Sequence, residues 1–229
     1  YQDVYGLCFY KIYLMLSSFG NNKNEIMRIQ EILFLVTLFA VSCSSERFVE
    51  VKDNNGNLLE KYQVDKEGTK NGIYESYNGG KLVSKANYQE GIQSGKRVIY
   101  YENGNPEIEE NYAKGQLEGD YKVYYETGEL KLVVGYSNNT IQGQVKKYYI
   151  SGQLMEDVAF IDNEENGPFV EYWENGNLKW EGAYKNGDNE FGELKKYNEE
   201  GILIRKLMCD SLAVCRTFWT LEDGSSNEE

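Results

Sequence analysis

Cys209 and Cys215, with five residues between them, are the side chains most readily brought together for chemistry in this sequence. They flank Asp210-Ser211-Leu212-Ala213-Val214 and are bordered by the strand-like runs 202–208 and 216–219, so a terminal hairpin sets them face to face. In an oxidising compartment such a pair closes into a disulfide and staples the end of a fold; otherwise the two are small buried hydrophobes. Little else offers reactive chemistry. The sequence contains no histidine, which removes Ser-His-Asp and Cys-His nucleophiles, the commonest general base and nearly every catalytic zinc site. The acidic doublets Glu109-Glu110, Glu164-Glu165 and Glu199-Glu200 have no partner acid at catalytic spacing and read as solvated charge. Asp53-Asn54-Asn55-Gly56-Asn57 approaches a calcium loop but lacks an acid at Val51 and a closing glutamate at Tyr62. No catalytic, cofactor-binding or metal-ligating residue is therefore expected, and no enzyme.

What remains is tyrosine, 20 residues against 9 Phe and 3 Trp. Tyr77, Tyr100, Tyr124, Tyr148, Tyr172 and Tyr197 each stand five positions after a glycine, and Tyr101, Tyr125, Tyr149 and Trp173 follow in the middle copies. Asn78 and Asn198 take that second place at the ends, which reads as polar capping. Adjacent strand residues point to opposite sides, so this pattern lays an aromatic row on each face of a sheet. Exposed Tyr and Trp serve protein recognition because they bury much surface at small entropic cost. Tyr100, Tyr124, Tyr148, Tyr172, Trp173 and Trp180 are the candidate protein-binding surface; the competing reading is that a residue kept in each copy serves stacking. Pro168, Phe169, Trp173 and Trp180 fall in one copy and are expected to form a local apolar patch.

The elements that position these residues are ruled off by glycines. Gly56, Gly80, Gly104, Gly128, Gly152 and Gly176 recur every 24 residues, and Gly201 comes one late. A period of this size means one supersecondary unit copied along the chain. Asn-Gly and Ser-Gly at these marks supply the positive φ of a tight hairpin turn. Two positions later stands Leu58, Leu82, Leu130, Leu154, Leu178 or Leu203, with Pro106 the exception. Eight positions later stands Tyr88, Tyr112, Tyr136, Phe160 or Tyr184. The two positions share parity, so one strand face packs while the other stays mostly wet. The expected fold is all-β: a single-layer antiparallel meander of about seven 24-residue hairpins, roughly 65 Å long at about 4.8 Å per strand. Repeats are expected over 51–209, a capping strand over 210–220 and a disordered tail over 221–229.

The pattern Gly-x-x-x-x-Tyr-Tyr-Glu-x-Gly-x-Leu, read at Gly119 to Leu130, resembles the MORN-variant repeat over residues 56–209. Such arrays turn up in bacterial proteins labelled YwqK-type antitoxins, so the resemblance implies a binding protein without an active site. Ahead of it, Met27-Arg28 and the apolar run 32–41 form a secretory signal too short to span a bilayer, which needs about 20 apolar residues. Ser42-Cys43 resembles a bacterial lipobox, in which Cys43 carries the lipid. Residues 27–42 are then a signal peptide, 43–50 a tether, and 1–26 an upstream segment that need not be translated. The formal net charge of −13 argues against nucleic acid as a partner. Together these readings give a lipid-anchored protein-interaction module at the bacterial envelope, on the outer membrane, with no cofactor. The alternative is an antitoxin or immunity protein that covers a toxin; an envelope enzyme acting on glycans is the third reading.

Overall fold

The computed structural model describes residues 47–222, and every regular element among them is a β-strand. In order these are β1 (Arg47–Lys52), β2 (Leu58–Val64), β3 (Lys70–Asn78), β4 (Lys81–Gln89), β5 (Ile92–Gln93), β6 (Gly95–Tyr100), β7 (Pro106–Ala113), β8 (Gln116–Leu117), β9 (Gly119–Tyr124), β10 (Leu130–Ser137), β11 (Thr140–Tyr148), β12 (Leu154–Ile161), β13 (Glu164–Tyr172), β14 (Leu178–Tyr184), β15 (Gly192–Tyr197), β16 (Leu203–Cys209) and β17 (Cys215–Thr220). Each pairs antiparallel with its neighbour in sequence; β5 and β8 are the leading ends of the lanes that β6 and β9 continue. Seven hairpins stand in series, one around each glycine of the 24-residue ruler, and β17 adds a single strand after the last. The first strand begins at Arg47, inside the segment expected to be a tether. The expected signal at 27–42, Cys43 and the segment 1–26 lie outside the described residues, as does most of the tail.

The hairpin turns differ in kind from the sequence expectation. In the third hairpin Gly104 N donates to Tyr101 O at 3.0 Å and Tyr101 N to Asn105 O at 2.9 Å. Only Gly104 has positive φ, at 91°, so this is a type I turn closed by a glycine bulge. Tyr125–Glu129, Tyr149–Gln153, Trp173–Asn177 and Asn198–Ile202 repeat the pattern. The residue before glycine stays right-handed, which is why Thr127, Ser151 and Glu200 serve there as well as Asn. The hairpin at Gly79-Gly80 alone among the seven has both residues at positive φ. Two-residue turns with both φ positive also occur between hairpins, at Glu90-Gly91, Lys114-Gly115, Asn138-Asn139 and Asp162-Asn163.

A second bulge sits inside each repeat. Gly95, Gly119, Gly143, Gly167 and Gly192 all have positive φ, and an aromatic ring or cysteine lies opposite each: Tyr112, Tyr136, Phe160, Tyr184 and Cys209. A large ring covering a glycine restores the contact its missing side chain forfeits. The next row inward holds the core. Phe169 stacks on Tyr184 with centroids 4.5 Å apart, and Val158, Phe169, Leu194 and Cys209 form one buried cluster. Gly182 lies between Phe169 and Leu194, where a Cβ would meet either side chain at 2.9 Å.

Tracing the pairing across the sheet puts every fully buried residue on the same face: Val64, Ser84, Ala86, Glu110, Val134, Val145, Val158, Phe169, Leu194 and Cys209. This is the core face. The opposite, open face holds none of the buried residues among those described.

Candidate functional site

Strand parity assigns Tyr77, Tyr100, Tyr124, Tyr148, Tyr172 and Tyr197 to the open face, all half-buried. Beside them runs a row that crosses the sheet as Lys61, Glu75, Lys85, Val98, Glu109, Lys122, Val133, Lys146, Asp157, Val170, Glu181 and Lys195. Opposite charges face each other in it: Lys85–Glu75 at 3.3 Å, Lys146–Asp157 at 3.4 Å and Lys195–Glu181 at 3.0 Å. Cross-strand pairs of opposite sign support a sheet by a few tenths to about 1 kcal/mol each.

Acids of this row also fix the tyrosines. Tyr77 donates to Glu75 at 2.9 Å, Tyr124 to Glu109 at 3.1 Å and Tyr197 to Glu181 at 2.7 Å. Burial, reinforced by the Glu109 bond, pushes the Tyr124 phenol up to about 12. Burial opposes ionisation of Glu109, but donors from Lys96 and Tyr124 outweigh it and hold its carboxyl below the usual range. Each of these acids is thus an ionised hub between a lysine and a tyrosine. Preset side chains lose little freedom when a partner covers them, which suits the surface to recognition.

The second aromatic of each pair has a different task. Tyr101 donates to Tyr124 O, Tyr125 to Tyr148 O and Tyr149 to Tyr172 O, at 2.8, 2.8 and 2.9 Å, and Trp173 Nε1 to Tyr197 O at 3.2 Å. Each ties its repeat to the next. Asn198, at the end of the series, instead closes its own turn by accepting from Ile202 N at 2.8 Å. The candidate surface therefore divides. Tyr100, Tyr124, Tyr148 and Tyr172 share the open face, Trp173 belongs to the ladder, and Trp180 is on the core face opposite Glu171. The expected apolar patch forms only in part: Trp180 packs against the buried cluster that holds Phe169, whereas Pro168 is exposed and Trp173 belongs to the ladder, and Lys179 and Lys196 lie over the rings of Trp173 and Trp180.

The acidic doublets also divide. Glu199 and Glu200 are exposed as expected, whereas Glu110 is buried and accepts from Arg97 at 3.0 Å and Tyr112 at 3.2 Å. Glu165 is half-buried; burial and the nearby Glu156 and Asp188 carboxylates raise its pKa. The hairpin register that sets Glu110 against Arg97 is the signal that could have found this pair. Exposed acids occur at the turns at both ends of the strands, as Glu102, Glu126, Glu174 and Glu199 at the hairpin turns and Glu90, Glu118, Asp162 and Asp188 between hairpins.

Cys209 and Cys215 are directly opposite each other on β16 and β17 and joined in a disulfide. Glu190 lies within 4.8 Å of both sulfurs, but a disulfide offers no thiolate to a metal. Asp53 accepts from Asn55 N and Asn57 N, both at 2.8 Å, so its carboxylate is engaged by its own turn.

Three stretches, 93–114, 117–138 and 165–186, match the MORN repeat variant, and each covers one hairpin with its bulge-closed turn. No curated protein matches the chain. Among solved structures, a protein of unknown function from Bacteroides fragilis NCTC 9343 is 10% identical over 74% of this chain and 96% of its own, with a TM-score of 0.13; a likeness of that size carries no argument. The chain is a β-repeat protein that carries MORN-variant repeats.

Proposed function

We propose that this chain is a non-enzymatic, lipid-anchored repeat protein that presents its open face to a protein partner at the bacterial envelope. The observation that carries the reading is the one-sided core. Every fully buried residue among those described is on one face, so the half-buried tyrosine row on the other is not needed to fill that core. Three of its rings, Tyr77, Tyr124 and Tyr197, are held by acids, opposite charges pair across it, and it offers amphipathic area of the kind enriched at protein interfaces. The anchor rests on the sequence at 27–43 and on Cys43 as the lipidated residue.

The antitoxin or immunity reading uses the same face. The net charge of −13 favours a basic partner, and the exposed acids at the turns would steer it, since the face itself is charge-alternating. Depletion that kills only cells expressing a toxin encoded next door would select this reading.

A photoactivatable residue in place of Tyr148 on the open face, compared with one in place of Phe160 on the core face, tests the proposal in intact envelopes. Cross-links to one partner from position 148 and none from 160 are expected. Equal yields, or yield from 160 alone, would overturn the assignment of the face. Fatty-acid labelling abolished by Cys43→Ala checks the anchor separately.

A further inference from the structure

The junction of the first two hairpins departs from the others at one point of the core face. Tyr62 and Tyr74 are opposite each other on β2 and β3, and Tyr88 on β4 adjoins them. Ring centroids of Tyr62 and Tyr74 are 6.2 Å apart with planes inclined at 24°, and those of Tyr74 and Tyr88 are 5.7 Å apart at 60°. One ammonium lies over all three: Lys70 Nζ is 4.5 Å from the Tyr62 centroid, 4.4 Å from Tyr74 and 5.6 Å from Tyr88. Glu60 Oε2 is 3.9 Å from the same nitrogen.

Stacking of repeats does not require this arrangement. The backbone bonds between successive turns identify the residues equivalent to Lys70: Gly91 N donates to Lys70 O, and the matching acceptors are Gln93, Leu117, Ile141 and Glu165. Lys70 is the one cation in that series. The core row of later copies reads Arg97, Glu110 and Tyr121 and then aliphatic residues with Phe169; rings meet there again at Tyr121–Tyr136 and Phe169–Tyr184, but three rings around one ammonium occur once among the described residues.

We propose that Tyr62, Tyr74, Tyr88 and Glu60 form a binding site for a trimethylammonium cation, with Lys70 as the tethered occupant that the ligand displaces. Faces of three rings concentrate negative quadrupole on one spot, the arrangement by which quaternary ammonium groups are recognised. A primary ammonium is strongly hydrated and loses hydrogen bonds to water over the rings. A trimethylammonium group has no N–H to lose and covers the rings with methyl groups. Lys70 is one-third exposed at the end of a flexible stem, so it can return to solvent without disturbing the strands. Glu60 then supplies the counter-charge and disfavours ligands that carry a carboxylate of their own. The site therefore takes choline-type cations over betaine-type zwitterions. It is on the face opposite the tyrosine row, so it stands or falls independently of the partner-binding reading.

Titration of the full chain with choline, followed by calorimetry and by NMR of tyrosine rings, tests the site. Lys70→Met is expected to bind choline about tenfold more tightly than the wild type, because the internal competitor is gone. Shifts should centre on Tyr62, Tyr74 and Tyr88, and glycine betaine should bind more weakly than choline. Tyr74→Leu added to Lys70→Met should remove binding while the sheet signal in circular dichroism persists; should that double variant unfold, Tyr88→Leu replaces it. Lys70→Met binding no more tightly than the wild type, or binding that survives loss of a ring, overturns the proposal. Co-sedimentation with phosphatidylcholine vesicles and not with phosphatidylglycerol vesicles would name a lipid headgroup as the source; binding of free choline alone would name a soluble one.

Discussion

From β10 to β16 the central row of the core face reads Val134, Val145, Val158, Phe169, Gly182, Leu194 and Leu207; from β2 to β9 it reads Tyr62, Tyr74, Ala86, Arg97, Glu110 and Tyr121. The row beside it inverts the contrast. Glu60, Ser76 and Ser84 hold it on β2 to β4, Ile99, Ile108, Val123 and Leu132 line it from β6 to β10, and Lys147, Glu156 and Glu171 follow from β11 to β13. Turns and bulges set the same backbone throughout, while the aliphatic row shifts along the strand: beside the central row from β6 to β10 and on it from β10 to β16. A repeat of this kind needs an apolar stripe on one face; it does not need the stripe at the same height throughout.

The comparison is tested most severely by removing the buried ring of the aliphatic half. Phe169 is 4% exposed, and Phe169→Ala should cost about 3–5 kcal/mol in urea unfolding. Ile108→Ala, in the half-buried stripe of the first half, should cost clearly less. A next test addresses the polar row. Arg97→Met leaves Glu110 buried without its cation and should cost about 1–3 kcal/mol. Arg97→Met with Glu110→Met should recover most of that loss, because neither charge is then stranded. A double variant as unstable as the single one would show that the pair is more than a replaceable filler.

The smallest effect separates the halves by pH. Burial, with the Glu165 carboxylate nearby, pushes the Tyr184 phenol up to about 12, and Tyr124 reaches about 12 through burial and Glu109. An unfolded tyrosine ionises near about 10. Both groups therefore contribute stability that is complete below that pH and is lost as pH rises through about 12. Tyr184→Phe should flatten the fall in melting temperature between pH 10 and 12 and change little at pH 7. Tyr124→Phe should flatten it as well, and should in addition lose about 1 kcal/mol at pH 7 with the bond to Glu109. Melting curves of both variants at the two pH values decide this.

Most of the fold was legible because the repeat wrote it many times over. The glycine ruler located all seven hairpins, strand parity located the ring-bearing positions, and the spacing of Cys209 and Cys215 put them on facing strands. The kind of turn was not legible: Asn-Gly suits two left-handed residues, yet a single left-handed glycine after a type I turn accepts almost any residue before it, as Thr127 shows. Nor did the sequence reveal which acids are solvated. Glu109 and Glu110 are adjacent and point to opposite faces, one to a lysine and a tyrosine, the other to Arg97. That distinction depends on the register of a neighbouring strand. The division of Trp173 and Trp180 between the ladder and the core face has the same origin, since nearness along the chain says nothing of side.

The single strand β17 after the last hairpin decides the sense in which the described sheet can be extended. An odd strand after complete hairpins leaves β1 and β17 running in the same direction. Copies laid end to end would have to splice a parallel junction into an antiparallel ladder, out of step with every other seam. Growth by simple translation therefore cannot continue the antiparallel order, and two molecules meeting strand to strand in that order do so about a twofold axis, β17 against β17 or β1 against β1.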